Sequence, residues 1–305
     1  MTIGRESLRR RYMIEKENSG NEASDEEKSL KIHYTQLDSF HKAISSVENM
    51  LFFTSDVYNE LQFRKVCNAT GSYSMSDYFR HHFGFIFVII PYNLPFGIGS
   101  MVVNFLFTFM WNYMDLFIVM VSLGLSSRFQ QINHRIEALA GREVSEATWM
   151  EIRHHFVLLC ELLEAVDETM SGIILLSSIN NLYFICYQLL NILQKLRYTI
   201  NYVYFWYSLL YLASRTTGVF LHAASINDEA AKPLKILRAV PSRNWCSEIE
   251  RFTDQITTQR VALSGMKFFY LTRKLFFGMA GTIVTYELVL LQFDDPNPNL
   301  KPLCG

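Results

Sequence analysis

Long apolar windows almost free of charge alternate along this chain with windows dense in both signs. The last apolar window, 275–293, is about 28 Å long at ~1.5 Å per residue, enough to cross a bilayer's hydrocarbon core. It predicts a transmembrane helix, yet it keeps Glu287 and Gln292. An ionisable side chain at membrane depth costs at least ~2.5–3.5 kcal/mol, so such groups face protein or water. The helix therefore carries a polar face suited to a lined cavity or pore. A second window, 83–126, has Asp115 as its one charged residue and is interrupted near its start by Pro91, Pro95, Gly97 and Gly99. The stretch before Pro91 is too short to span, so the pattern predicts a membrane-edge segment and then a helix over 96–127. Two further spans follow, 172–193 and 201–222, joined by a short turn with Lys195 and Arg197.

Between the spans the periodicity stays helical while the polarity changes. After Ser145, a candidate N-cap, Trp149, Ile152, Phe156, Leu159, Leu163 and Val166 recur three or four residues apart. No breaker separates this stripe from the span at 172–193, which predicts a helix projecting well beyond the bilayer. Trp245, Ile249, Phe252, Ile256 and Leu263 form a second stripe after Pro241. Two such stripes on one side of a membrane would bury their faces against each other or against neighbouring subunits. The fold class expected is all-α, a multi-pass transmembrane helical bundle whose long helix extensions form a domain outside the membrane. Leu37, Phe40, Ile44, Val47, Leu51 and Phe52 continue the helical spacing over 31–61, although Asp38, Glu48 and Asp56 make that stretch a poor lipid-facing span.

Charge adds a direction. Lys232, Lys235, Arg238, Arg243, Arg251, Arg260, Lys267, Arg273 and Lys274 put 223–274 in the cytoplasm by the positive-inside tendency. Counting spans outward, the turn at Lys195 is outside, 128–171 inside and the tail 294–305 outside. The triplet Asn68-Ala69-Thr70, a glycosylation acceptor pattern, lies in an expected outer loop over 62–82 and agrees. Residues 1–30, rich in Asn, Ser, Asp, Glu and Lys, read as a disordered cytoplasmic tail; Arg9, Arg10 and Arg11 precede no apolar core, so no signal peptide is expected. A net charge of −1 without a sustained basic face argues against a nucleic-acid partner. Membrane lipid is the expected surrounding.

Enzyme chemistry finds no residues to use. No nucleophile elbow, phosphate-binding glycine loop, His-Glu-x-x-His or carboxylate dyad occurs, and the five cysteines are scattered without CxxC spacing. His81-His82 and His154-His155 are adjacent pairs, which point about 100° apart on a helix and make poor metal clamps. Neither a metal nor a cofactor is expected.

Several stretches carry a resemblance. Thr285-Tyr286, five mostly apolar residues and Gln292-Phe293, close to the C-terminus, resemble the signature of the insect gustatory receptors. The preceding Met279-Ala280-Gly281-Thr282-Ile283-Val284 and the run Tyr286-Glu287-Leu288-Val289-Leu290-Leu291-Gln292-Phe293 look like that family's sweet-taste branch, the sugar or trehalose receptors. Trp111-Asn112-Tyr113-Met114-Asp115-Leu116-Phe117, continuing to 125–131, resembles its fourth helix. Val47-Glu48-Asn49-Met50-Leu51 resembles the outer end of its third. On that alignment the chain is truncated at its N-terminus, with 31–61 a remnant of the third transmembrane helix.

What the resemblance implies is a plasma-membrane subunit of a homo- or hetero-tetrameric, sugar-gated, non-selective cation channel. Residues 83–222 would form the ligand-binding bundle, 223–274 the anchor helices and 275–293 the pore-lining helix. Thr285, Tyr286, Gln292 and Phe293 match the motif, with Phe293 a hydrophobic constriction at the outer mouth and Gln292 its hydrated replacement when the helix rotates. A sugar presents hydroxyls and apolar ring faces, so its site needs carboxylates or amides together with aromatic walls. Trp111, Asn112 and Asp115 on one helix, with Asn181, Tyr183, Tyr187 and Gln188 on the next, meet that need. Asp115 has an equally good alternative reading, a helix–helix hydrogen bond or a pairing with Arg215. The rival functions are a non-conducting or dominant-negative subunit that needs full-length partners, and a sugar receptor of the G-protein-coupled type.

Overall fold

The computed structural model of the protein describes residues 50–59, 61–62, 75–192 and 199–292, plus Thr35 and Val47 singly. The elements below all belong to the unit spanning 47–305. After a helical stretch over 50–59 come α1 (Met75–His82), α2 (Gly84–Phe87), α3 (Leu94–Leu139), α4 (Glu146–Ile192), α5 (Thr199–Ala231), α6 (Pro233–Arg238), α7 (Ser247–Thr258), a hairpin of β1 (Ser264–Gly265) and β2 (Phe269–Tyr270), and α8 (Arg273–Gln292). Asn68, Phe293 and the tail 294–305 lie outside the described residues.

Local chemistry sets the ends of the long helices. Pro95 sits in the first turn of α3, where a missing N–H costs nothing. The helix then runs on to Leu139, a dozen residues past the expected 127, because 128–139 has no breaker. The chain reverses at Gly141, whose φ of 77° is the left-handed backbone that glycine adopts freely. Ser145 caps α4 as its position suggested, accepting the Thr148 N–H on Oγ at 3.3 Å. The stripe at 149–166 and the apolar run from 172 are one continuous helix. Pro233 ends α5 in register and opens α6.

Side-chain partners give the helix directions. Between α3 and α4 the contacts Asp115–Ser177 and Phe129–Phe156 pair rising with falling numbers, so the two are antiparallel. Between α3 and α5 the contacts Asp115–Arg215, Ser126–Ser225 and Asn133–Glu229 rise together, so these run parallel. α8 lies antiparallel to α5 through Phe276–Phe220 and the 2.5 Å pair Arg273–Asp228. Among the described residues, two helices, Leu94–Leu139 and Glu146–Leu190, are long and apolar enough to cross a membrane. In α5 the polar aromatics Tyr202, Tyr204, Tyr207 and Tyr211, together with Arg215, dilute the apolar character.

Away from the spans, the two amphipathic stripes close on each other. Phe156 of α4 stands edge-on to Phe129 of α3 (5.6 Å) and to Phe252 of α7 (5.2 Å). Phe129, Phe156, Ile249, Phe252 and Leu263 are buried, whereas Trp245 lies at the edge, 41% exposed. Arg153 Nε donates to Glu248 Oε2 at 2.8 Å and Arg251 to Oε1 at 2.9 Å, holding the Glu248 carboxyl below its usual range. In the same layer, burial pushes the Cys160 thiol up to about 12, with Glu161 adding to the rise.

Candidate functional site

Three long helices present polar groups to one another in the apolar bundle. Asp115 projects from α3 and is 1% exposed. Asn112, one turn earlier on the same helix, lies on the same side. α4 contributes Ser177 and Asn181, four residues apart and therefore stacked on one face. Arg215 arrives from α5, its side chain 8% exposed.

The contacts form a closed network. Arg215 Nε lies 2.9 Å from Asp115 Oδ2, and a second nitrogen donates to Asn181 Oδ1 at 3.0 Å. The remaining guanidinium nitrogen donates to Asn112 Oδ1. Asn181 Nδ2 donates to Asp115 Oδ2 at 3.0 Å, and Ser177 Oγ donates to Oδ1 of the same carboxylate. Tyr211, one turn from Arg215, donates its hydroxyl to Asn112 at 3.4 Å, and its ring lies 5.6 Å from the guanidinium. A carboxylate with several hydrogen bonds and an arginine partner is what an ion pair needs to survive loss of water. The pairing with Arg215, one of the two readings of Asp115, is present.

The other residues expected around a sugar take different positions. Trp111 is half-buried and packs its ring edge-on to Phe184 at 5.9 Å. Gln188 sits about two turns beyond Asn181 and donates to Ser208 of α5 at 2.9 Å; its Oε1 is buried with no hydrogen-bond partner among the described residues. Tyr183 and Tyr187 stack on each other at 6.2 Å but are 60% and 52% exposed. They occupy a face of α4 away from Asn181, so the structure groups Asn112, Asp115 and Asn181 and leaves the two tyrosines outside that group. Ser177 and Tyr211 complete the network without having been singled out. The four-residue spacing of Ser177 from Asn181 and of Tyr211 from Arg215 was the signal available for both.

The last helix has two distinct faces. Phe276, Met279, Ala280, Ile283 and Glu287 are half-buried against the bundle. Gly278, Thr282, Thr285 and Gln292 are exposed on the opposite side, as is Tyr286. The Thr282 and Thr285 hydroxyls donate back to the carbonyls of Gly278 and Gly281, at 3.0 and 2.9 Å. Glu287 turns inward, an electrostatic neighbour of Cys186 on α4, and its Oε1 is buried with no hydrogen-bond partner among the described residues.

Helices of this length and apolarity, wrapped around a buried ion pair and continued into a helical layer beyond the spans, define a multi-pass helical membrane protein. Its fold is that of the insect olfactory receptor OR5 from Machilis hrabei, matched over 87% of this chain and 70% of that one at a TM-score of 0.55 and 15% identity. The same receptor in complex with eugenol matches at 0.54. The chain belongs to the trehalose receptor family, whose model matches residues 9–304. It is 53% identical over 86% of its length to gustatory receptor for sugar taste 64a of Drosophila melanogaster. It is also 39% identical over 83% of its length to that organism's gustatory receptor 5a for trehalose. The chain spans 58% and 55% of those relatives.

Proposed function

We propose that this chain is a sugar-taste receptor subunit of the plasma membrane that opens a non-selective cation pathway when a sugar binds from outside. The observation that carries this reading is the polar network of Asn112, Asp115, Ser177, Asn181 and Arg215, buried inside a membrane bundle whose relatives are described as receptors for sugar taste and trehalose. A cluster so completely paired is expensive to retain in an apolar medium for packing alone. Sugar hydroxyls would exchange with its hydrogen bonds, while Tyr183 and Tyr187 offer aromatic faces further round α4.

Transmission runs through α8. Its inner face carries Glu287 against α4, so a shift of α4 moves a helix whose outer face presents Thr285 and Gln292. In a tetramer those faces, with Phe293 after them, would surround the pore. The C-terminal tail is extracellular in this arrangement, 223–274 is cytoplasmic and Asn68 is available for glycosylation.

The test is whole-cell current from cells expressing the chain during a panel of mono- and disaccharides, with surface labelling as control. The expected result is a sugar-evoked cation current that persists in excised patches without nucleotide, which a G-protein-coupled receptor would not give. Current that appears on co-expression with a longer relative and is absent from the chain alone would identify a partner-dependent subunit. Silence in both settings, with the chain at the surface, overturns the proposal.

A further inference from the structure

The hairpin between α7 and α8 has a tip that the packing of the bundle does not explain. Its base is firmly held. Asp167, on α4 just before the apolar run from 172, accepts the Ser264 N–H at 2.6 Å and the Ser264 hydroxyl at 2.8 Å, and both residues are buried. Leu263 and Leu271 are fully buried and joined by a 2.8 Å backbone bond, and Arg273–Asp228 ties the next turn to α5. These contacts fix the hairpin against α4 at the start of α8.

The tip is different. Met266 and Lys267 have φ of 50° and 62°, and Phe268 N–H donates to the Gly265 carbonyl at 3.0 Å. This is the backbone of a type I′ turn, for which glycine, asparagine and aspartate are the usual residues because a β-carbon is strained there. Gly265 is glycine for a visible reason, since a Cβ would overlap the Phe269 ring. At 266 and 267 the chain holds strained side chains that bury little, for Met266 is 55% and Phe268 80% exposed, and Lys267 is exposed. Strain at positions where glycine would fit points to a use for the side chains themselves.

Charge indicates the partner. No Asp or Glu occurs from 255 to 286, while Arg260, Lys267, Arg273 and Lys274 are all exposed. Arg273 has its ion pair with Asp228, and Arg260 lies 5.5 Å from the Tyr270 ring. Lys267 and Lys274 form no ion pair among the described residues. Phospholipid headgroups supply phosphate and carboxylate to such a patch of unpaired cations.

We infer that the hairpin tip is a lipid-binding foot at the base of α8: Met266 and Phe268 insert at the boundary of headgroups and acyl chains, and Lys267 and Lys274 recognise anionic phospholipids. The inference rests on the cytoplasmic placement of 223–274 proposed above, because that leaflet carries the anionic lipid. Such a contact holds the start of the pore-lining helix in the membrane plane.

The experiment places a photo-crosslinking phenylalanine analogue at position 268 of the full chain, reconstituted in bilayers of equal phosphatidylcholine and phosphatidylserine, and identifies adducts by mass spectrometry. Lipid adducts are expected, with phosphatidylserine favoured about fivefold for each lysine. In the double variant Lys267→Glu and Lys274→Glu the preference should vanish while lipid adducts persist. Adducts to a second copy, or none to lipid, overturn the inference. Lipid adducts at the bulk ratio in the unmodified chain overturn its anionic half. No current is read, so failure here is separable from failure of the sugar-channel reading.

Discussion

Arg215 is the residue on which the buried network depends. Its guanidinium meets Asp115, Asn181 and Asn112 on two other helices, so truncating it removes the counter-charge of a buried carboxylate and one donor each from the two amide oxygens. Arg215→Met is expected to cost about 3–5 kcal/mol, the usual result of orphaning one member of a buried pair. Adding Asp115→Asn should recover most of that loss, because no uncompensated charge remains. Thermal unfolding of both variants in detergent measures the difference, and equal destabilisation of single and double variants would count against a pair held mainly by charge. Glu248 offers a second residue-scale check. Two arginines hold its carboxyl below the usual range, so its stabilisation is present above the ordinary carboxylate pKa and is lost as pH falls through the lowered value. Glu248→Gln should therefore flatten the acid limb of the stability curve and change its neutral plateau less. An unaltered acid limb would show that the arginines do not act through this carboxylate.

Among the elements, α4 does two jobs with one helix. Its first half gives an apolar stripe to α7, and its second half carries the polar residues of the network. Because no breaker separates the halves, a tilt of one is felt by the other. Phe252 is the fully buried residue of α7 that meets Phe156. Phe252→Ala should destabilise the layer by about 3–5 kcal/mol through lost contacts and the cavity left behind. Hydrogen exchange would show this as faster opening of 247–258 and of the first turns of α4, and protection unchanged there would mean that α7 is held from elsewhere. Ser145, by contrast, acts through one capping bond at an exposed helix start, and its helix would persist without it.

For the whole molecule the distribution of faces on α8 matters most. Gln292 and Thr285 are seven residues apart and therefore on one side, exposed and away from the bundle. Gln292→Ala is expected to change sugar-evoked gating while surface expression stays constant, since the residue is exposed among the described residues. Current through Gln292→Ala indistinguishable from the parent, at equal surface density, would remove Gln292 from the gate. Glu287, on the opposite side, is turned toward Cys186 of α4, so the two polar residues of this helix lie on different faces despite their nearness in sequence.

Periodicity in the sequence was enough to predict the long helices, the run without a breaker through 146–192 and the cap at Ser145, while burial of the two stripes against each other was one of two outcomes it left open. Each depends on neighbours along one chain segment or on apolar area that must be covered somewhere. The family was legible because the stretches that carry the resemblance are contiguous. Tertiary structure decided which polar residues meet. Asn112, Asp115 and Asn181 share a network with Arg215, whereas Tyr183 and Tyr187, close to Asn181 in sequence, turn to another side. A helix rotates about 100° per residue, so proximity in sequence says little about a shared face until the neighbouring helices are in place. The hairpin was likewise unread, because its turn uses methionine and lysine where the chemistry of the backbone favours glycine, and only the folded chain shows that strain.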